Sequence, residues 1–199
     1  MRHARRPVTL PPMQNSERDP KPWPVVESEP GEDLLLFKVR YDHMQNPRTE
    51  RIFKRLVLET RSWVNIVAYT SDRQLVVVRQ FRFGAAQLTT EIPGGVIDEG
   101  EEHGTSARRE LREETGYTSN RWTYLGCVQP NPAFHDNFCH HWLAEDCERT
   151  EELDLDAGED IVVKTLSEEQ VRAAITNGDI RHSLVLTALS HVLDLRTQS

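Results

Sequence analysis

Apolar and polar positions alternate with a period of two along several stretches of this chain and recur with a helical period along others. Leu35, Phe37, Val39 and Tyr41 fall at alternate positions, as in a strand with one buried face. MQNPRTE, beginning at Met44, reads as a turn, and Ile52 to Leu58 as the returning strand. Residues 33–60 therefore predict a small N-terminal antiparallel sheet, and residues 1–32, rich in proline and charge, a loose arm. A larger unit, residues 61–199, begins near Trp63. VNIVAYT and LVVVRQF read as two strands joined by the turn chemistry of Ser71-Asp72-Arg73. Trp122 to Gln129, Phe138 to Ala144 and Ile161 to Leu166 are three more strand candidates, whereas residues 145–160 lack apolar periodicity and predict an acidic loop.

Three segments carry helical signals. Ala107 to Thr115 is followed by Gly116, a natural left-handed terminator. Ser167 to Gln170 reads as a capping box opening a helix that stops at Gly178. The last, Ser183 to Leu195, offers Leu184, Leu186, Leu189, Val192 and Leu193 as an apolar face. There are no internal repeats. Strands flanking one helix, then C-terminal helices, predict an α/β sandwich.

Composition narrows the function classes. A chain of 199 residues with 37% hydrophobic residues has room for one domain with a core plus an extension. No apolar run approaches a membrane span, and the basic start MRHARRPVTLPP has no apolar segment of a secretory signal, so a soluble, cytoplasmic protein is expected. The net charge of −8 argues against general nucleic-acid binding. Cys127, Cys139 and Cys147 have no zinc spacing; they read as reduced thiols, with Cys127 and Cys139 packed in strands.

The chemistry is concentrated in GGVIDEGEEHGTSARRELREETGY, which starts at Gly94. On a helix Glu110, Glu113 and Glu114 share one face at i, i+3 and i+4. Carboxylates about 5 Å apart at an effective dielectric near 20 repel by roughly 3 kcal/mol per pair. Such an arrangement calls for a counter-charge, and hard oxygen ligands suit Mg²⁺, with Mn²⁺ a possible substitute. A solvated Glu/Arg helix would also carry these charges. Here the glycine-rich approach, the single Glu101 and the Gly116 exit all fall in register. Glycines at 94 and 95 would let backbone come close to a phosphate, and the Gly94 carbonyl could itself be a ligand. Gly104 predicts a frayed or shifted first turn, since Gly costs about 1 kcal/mol relative to Ala inside a helix.

Reduced to Gly95, five residues, Glu101, seven residues and Arg109-Glu110-Leu111-Arg112-Glu113-Glu114-Thr115-Gly116-Tyr117, the stretch resembles the signature box of the Nudix hydrolases, which cut nucleoside diphosphates linked to another group. The family more often has an aliphatic residue where Tyr117 stands. Across about residues 35–195 the wider context is similar to the ADP-ribose pyrophosphatase branch. The features are Gln80-Phe81-Arg82 ahead of the box, Glu91-Ile92-Pro93-Gly94-Gly95 followed by Ile97-Asp98-Glu99-Gly100-Glu101, Pro132 sixteen residues past Gly116, and the closing GDIRHSLVLTALSHVL. The resemblance implies a Nudix-type α/β/α sandwich with a mixed sheet, and an N-terminal sheet used for homodimerisation. It also implies Mg²⁺-dependent hydrolysis of ADP-ribose to AMP and ribose 5-phosphate. Another nucleoside diphosphate sugar, such as GDP-mannose or ADP-glucose, stays open as substrate. A non-catalytic nucleotide-sugar sensor is a further alternative, disfavoured because Glu101, Glu110, Glu113 and Glu114 are all present.

On that resemblance Glu110 and Glu114 are the expected metal ligands, with Glu113 beside them and the Gly94 carbonyl completing the set. Glu101 is expected to position Arg109 or a water, and Arg109 to orient the glutamates. Glu159 is the candidate general base from the acidic loop. Arg82, Glu91 and Gln80 are candidate substrate-binding residues, and Trp23, Trp63, Phe37 or Tyr41 could stack on the base. His140 and His141 point to opposite faces of a strand and cannot chelate together. His135, with His140 and His141, invites a metal or catalytic reading that is disfavoured, and Asp136-Asn137 could contact the sugar.

Overall fold

A computed structural model describes residues 19–196 of the chain. Three strands, β1 (Val25–Leu34), β2 (Phe37–Gln45) and β3 (Ile52–Glu59), form an antiparallel sheet in that order. The larger sheet comprises β4 (Trp63–Thr70), β5 (Leu75–Arg82), β6 (Gln87–Glu91), β7 (Tyr117–Thr118), β8 (Arg121–Val128), β9 (Cys139–Arg149) and β10 (Val162–Leu166). Its path runs β10-β5-β4-β9-β7, with β6 added to β5 and β8 to β9. The β4–β9 pair is parallel and the others are antiparallel, so the sheet is mixed.

Helices cover both faces because alternate residues of the central strands are apolar on both sides. Val64, Ile66, Ala68 and Val76 pack with Ala107 and Leu111 of α1 (His103–Thr115). Val67, Tyr69, Leu75 and Val77 pack with Val171 and Ala174 of α2 (Glu168–Asn177) and with Val185, Ala188 and Leu189 of α3 (Ser183–Ser190). The result is an α/β/α sandwich.

One irregularity of the sheet makes the site. β4 and β5 pair only at Ala68↔Val76 and Tyr69↔Leu75, beside their connecting turn. Beyond that they diverge, and the segment after β6 lies along β4 in the opening. Ile66 N donates to Pro93 O at 2.8 Å, Val64 N to Gly95 O at 2.9 Å, and Trp63 bridges Val96. The glycine-rich loop is thereby held as firmly as a strand.

The structure departs from the periodicity in five places. Val25–Leu34 is a strand although residues up to 32 read as a loose arm; residues 1–18 of that arm lie outside the described residues. Leu35, expected in the same strand as Phe37, Val39 and Tyr41, sits in the β1–β2 turn and is wholly exposed. α1 begins at His103, not near Ala107. Gly104 is what allows this: a Cβ there would stand 3.1 Å from the Trp142 ring, and Trp142 Nε1 donates to His103 Nδ1 at 3.2 Å. β9 continues to Arg149 through residues expected to be loop, with Cys147 buried. α3 ends at Ser190, and Leu193 reaches the core from a turn instead. The capping box on Ser167 and Gln170 and the Gly178 terminus of α2 form as the sequence indicates. Of the thiols expected in strand packing, Cys139 is buried and Cys127 is exposed. Burial pushes the Cys139 and Cys147 thiols up to about 12.

His141 is fully buried on the α3 face of β9, and neither ring nitrogen has a hydrogen-bond partner. Burial, aided by the neighbouring His191, pushes its pKa down to about 4. The folded state thus resists protonation that the unfolded chain accepts near pH 6.5, so stability is lost as pH falls from about 6.5 toward 4. At pH 5 this costs about 2 kcal/mol. Urea unfolding at pH 7.5 and pH 5 should show that loss in the native protein and a markedly smaller one in His141→Leu; equal losses in both would contradict it.

Candidate active site

The centre of the site is Arg109, on the face of α1 turned toward the glycine loop. Its guanidinium donates to both oxygens of Glu101, from Nε at 3.1 Å and Nη2 at 2.9 Å. Nη1 donates to Glu110 at 2.9 Å and Glu113 at 3.1 Å. Nη2 also reaches Val96 O at 3.3 Å and Ser106 Oγ at 3.2 Å. One planar fork therefore ties the loop before α1 to two carboxylates on the helix. The Arg109 bond holds Glu101 below the usual carboxylate range, and Glu101 in turn accepts from Asp98 N at 3.2 Å, closing the turn that leads into α1.

Glu113 is shared between Arg109 and Arg112, the latter at 2.7 Å. Glu114 faces the other way and accepts from Gly94 N at 2.9 Å. Both close approaches require glycine. A Cβ on Gly95 would lie 2.4 Å from the Glu110 carboxylate, and one on Gly94 would lie 2.2 Å from Val64 O. Pro93 and Gly95 give their carbonyls to β4. In an extended segment alternate carbonyls face opposite sides. The Gly94 carbonyl thus faces away from β4, on the side where the Gly94 amide meets Glu114.

Glu110 and Glu114 are 8% and 4% exposed. Burial raises the pKa of Glu110 to about 7; Arg109 opposes the rise, and Glu113 and Glu159 add to it. Burial raises Glu114 to about 8, opposed by the Gly94 amide and reinforced by Glu110 and Glu159. Arg109 cannot satisfy both, because its donors are spread over three carboxylates. Two buried, mutually repelling carboxylates beside a backbone carbonyl form an oxygen donor set that fits a hard divalent cation. Among the described residues a second acidic group, Glu27, Glu29 and His43, has ligand atoms all within 4.8 Å of one another. There Glu29 already accepts from Lys54 at 2.6 Å and bonds His43 at 2.7 Å. That cluster has Lys54 close by as counter-charge, whereas Glu110 shares Arg109 with Glu101 and Glu113, and Glu114 accepts, among the described residues, only from the Gly94 amide.

On the far side of the glycine loop a cleft of about 1290 Å³ runs from Gly94 and Gly95 past Arg82, Thr89, Glu91 and His182 to the β1–β2 turn. Phe37 and Trp63 line it; Trp23 packs instead on Phe53, and Tyr41 lies under Lys54. Arg82 binds Glu91 through two bonds of 2.9 and 2.8 Å. Burial alone would raise the pKa of Glu91, but Arg82, His182 and Thr89 together hold it well below the usual carboxylate range. Gln80 sits in β5, paired with Thr89 of β6. Glu159 lies on the exposed 150–161 loop, its carboxylate accepting from Asp156 N at 3.0 Å, and its charge is felt by Glu110, Glu114 and Arg82. Asp136 accepts from Thr60 N at 3.3 Å, Asn137 donates to Arg61 O at 3.0 Å, and His135 packs on Phe37; all three serve the junction between the sheets. His140 stacks on His103 at 4.4 Å, on the opposite face from His141. Sequence reasoning missed Thr89, His182, Ser106 and the Val96 carbonyl, since their partners lie across strands or at a helix start and leave no periodic signal.

The NUDIX domain family matches residues 59–188 of the chain. The chain is 35% identical over 118 residues to an ADP-ribose pyrophosphatase of Bacillus subtilis, covering 58% of this chain and 64% of that protein. It is 31% identical over 136 residues to a methanol dehydrogenase activator of Bacillus methanolicus, covering 67% and 73% of the two chains. The match spans a little under two thirds of the first of these relatives. Among solved structures, an ADP compounds hydrolase superposes with a TM-score of 0.77 at 23% identity, over 88% of this chain and 94% of that one, which shows the fold.

Gly95→Ala should displace the Glu110 carboxylate while leaving both core layers intact. Titration calorimetry with Mn²⁺ should show metal affinity reduced at least tenfold in a variant whose far-ultraviolet dichroism is unchanged. Native-like affinity would show that Glu110 does not need its place against the loop.

Proposed function

The chain belongs to the NUDIX domain family, and on that premise we propose that it hydrolyses the diphosphate of ADP-ribose to AMP and ribose 5-phosphate with Mg²⁺. The observation that carries the reading is the pair Glu110 and Glu114, buried without full compensation against a glycine loop that borders a nucleotide-sized cleft. The names of the Bacillus subtilis relative and of the structural neighbour, both acting on ADP compounds, support the substrate class.

In this reading Glu110, Glu114 and the Gly94 carbonyl hold the cation, with Glu113 as the adjoining carboxylate. When bound, the cation neutralises diphosphate charge and acts as a Lewis acid. Arg109 and Glu101 fix the helix and the loop relative to each other, so the ligands are preorganised. Arg82 meets the diphosphate from the cleft, oriented by Glu91, and Gln80 extends that wall. Glu159, close enough for its charge to act on both ligands, accepts a proton from the attacking water; such a base contributes about 10²–10⁴-fold. The water oxygen bonds to one phosphorus, the bridging oxygen leaves with the other phosphate, and the two monophosphates separate. The N-terminal sheet is read as a homodimer surface, in keeping with exposed Leu36, Ile52 and Leu56.

Phosphate-product analysis on ADP-ribose, GDP-mannose, ADP-glucose and NADH, with Mg²⁺ and then with EDTA, tests this directly. AMP should form from ADP-ribose only with Mg²⁺, and Glu114→Gln should reduce turnover by orders of magnitude in a folded protein. Glu159→Gln should lower kcat more than it raises KM. Preference for another nucleotide sugar would move the substrate and keep the mechanism; full activity in Glu114→Gln would refute its role as a ligand.

A further inference from the structure

Glu91 forms the floor of the cleft wall and is nearly inaccessible to solvent. Its two oxygens receive four polar contacts. Oε1 accepts from Arg82 Nε at 2.9 Å and Thr89 Oγ1 at 2.7 Å; Oε2 accepts from Arg82 Nη2 at 2.8 Å and lies 3.0 Å from His182 Nδ1. A carboxylate offers about four lone-pair sites, so Glu91 has no capacity left for a substrate hydroxyl. An ionised carboxylate only accepts, which places a hydrogen on His182 Nδ1. Arg82 spends Nε and Nη2 on Glu91, leaving Nη1 uncommitted among the described residues.

The two oxygens are not anchored alike. Oε1 is tied to Thr89, two residues away on the same strand. Oε2 is tied to Arg82, whose side chain is 46% exposed, and to His182 from the N-cap of α3. Arg82 is long, and without a second anchor the pair can swing as a unit. His182 supplies that second anchor from a fixed stretch of backbone, because its carbonyl accepts the first helical bond, from Leu186 N at 3.0 Å.

We propose that His182 is a positioning residue for Arg82: by donating to Glu91 it fixes the carboxylate that aims the Arg82 guanidinium at the diphosphate, so the last helix sets the cationic wall of the substrate cleft. This rests on the nucleotide-diphosphate reading above. The role demands an N–H at one place in space, not an imidazole, and it acts only through Arg82. A purely structural His182 would instead hold α3 to β6 and affect stability alone.

The test is a steady-state comparison of His182→Ala, His182→Asn, Arg82→Ala and the His182→Ala/Arg82→Ala double variant, using whichever panel nucleotide sugar the native protein hydrolyses with Mg²⁺. Asn places an N–H near the position of Nδ1. His182→Ala should raise KM about five- to tenfold with kcat within about twofold, the scale of one lost hydrogen bond. His182→Asn should return KM to within about twofold of native, and the double variant should match Arg82→Ala alone. An unchanged KM in an active His182→Ala, or additive effects in the double variant, would overturn the inference and leave the proposed function standing. No turnover by the native protein on any panel member would overturn both.

Discussion

The site depends on one guanidinium. Among the described residues, Arg109 alone touches the loop after Gly95 and two carboxylates of α1 at once, through Val96 O, Glu101, Glu110 and Glu113. A lysine has three donors on a point charge and cannot span this geometry; the planar fork can. With the fork in place the helix has one rotation about its axis relative to the loop. That rotation puts Glu114 under the Gly94 amide and Glu110 against Gly95. Glycine at 95 is then a consequence, because the carboxylate occupies the space a methyl group would take.

What the fork does not do is equally informative. It neutralises Glu101 fully and shares what remains, leaving Glu110 and Glu114 with pKa values near 7 and 8. In a domain whose net stability is a few to about 15 kcal/mol, retaining two such groups in a buried position is costly. The contrast with Glu91 makes the point. It is as buried as Glu114, but four contacts saturate it and hold its proton off. The same chain thus compensates one buried glutamate completely and leaves two others short, and the two left short lie beside a backbone carbonyl at the edge of a cleft. The divergence of β4 from β5 supplies the room for both arrangements.

Much of this was legible in the sequence. The helix face of Glu110, Glu113 and Glu114, the Gly116 terminus, the capping box at Ser167 and the layered α/β architecture follow from spacing and periodicity alone. The parts that were not legible depend on contacts between distant segments. The first turn of α1 exists because Trp142 packs where Gly104 has no side chain. β1 is a strand because β2 offers it a pairing edge, although Glu27, Glu29 and Pro30 have little strand preference of their own. β9 runs into acidic sequence because pairing with β7 and β8 outweighs local composition. The Glu91 clamp draws its members from β5, β6 and the start of α3, which no period links.

The central claim is that burial raises Glu110 and Glu114 enough that a divalent cation binding between them displaces protons. It is tested most directly by calorimetric titration of Mg²⁺ into the protein at pH 7, in two buffers of different ionisation enthalpy. Raised carboxylate pKa values mean that the metal-free fold binds more protons than the unfolded chain between about pH 4.5 and 8, and a cation must displace them. The account expects proton release on binding, diminished in Glu114→Gln, with apparent affinity rising from pH 6 to pH 8. Binding with no proton release and no pH dependence over that range would contradict it.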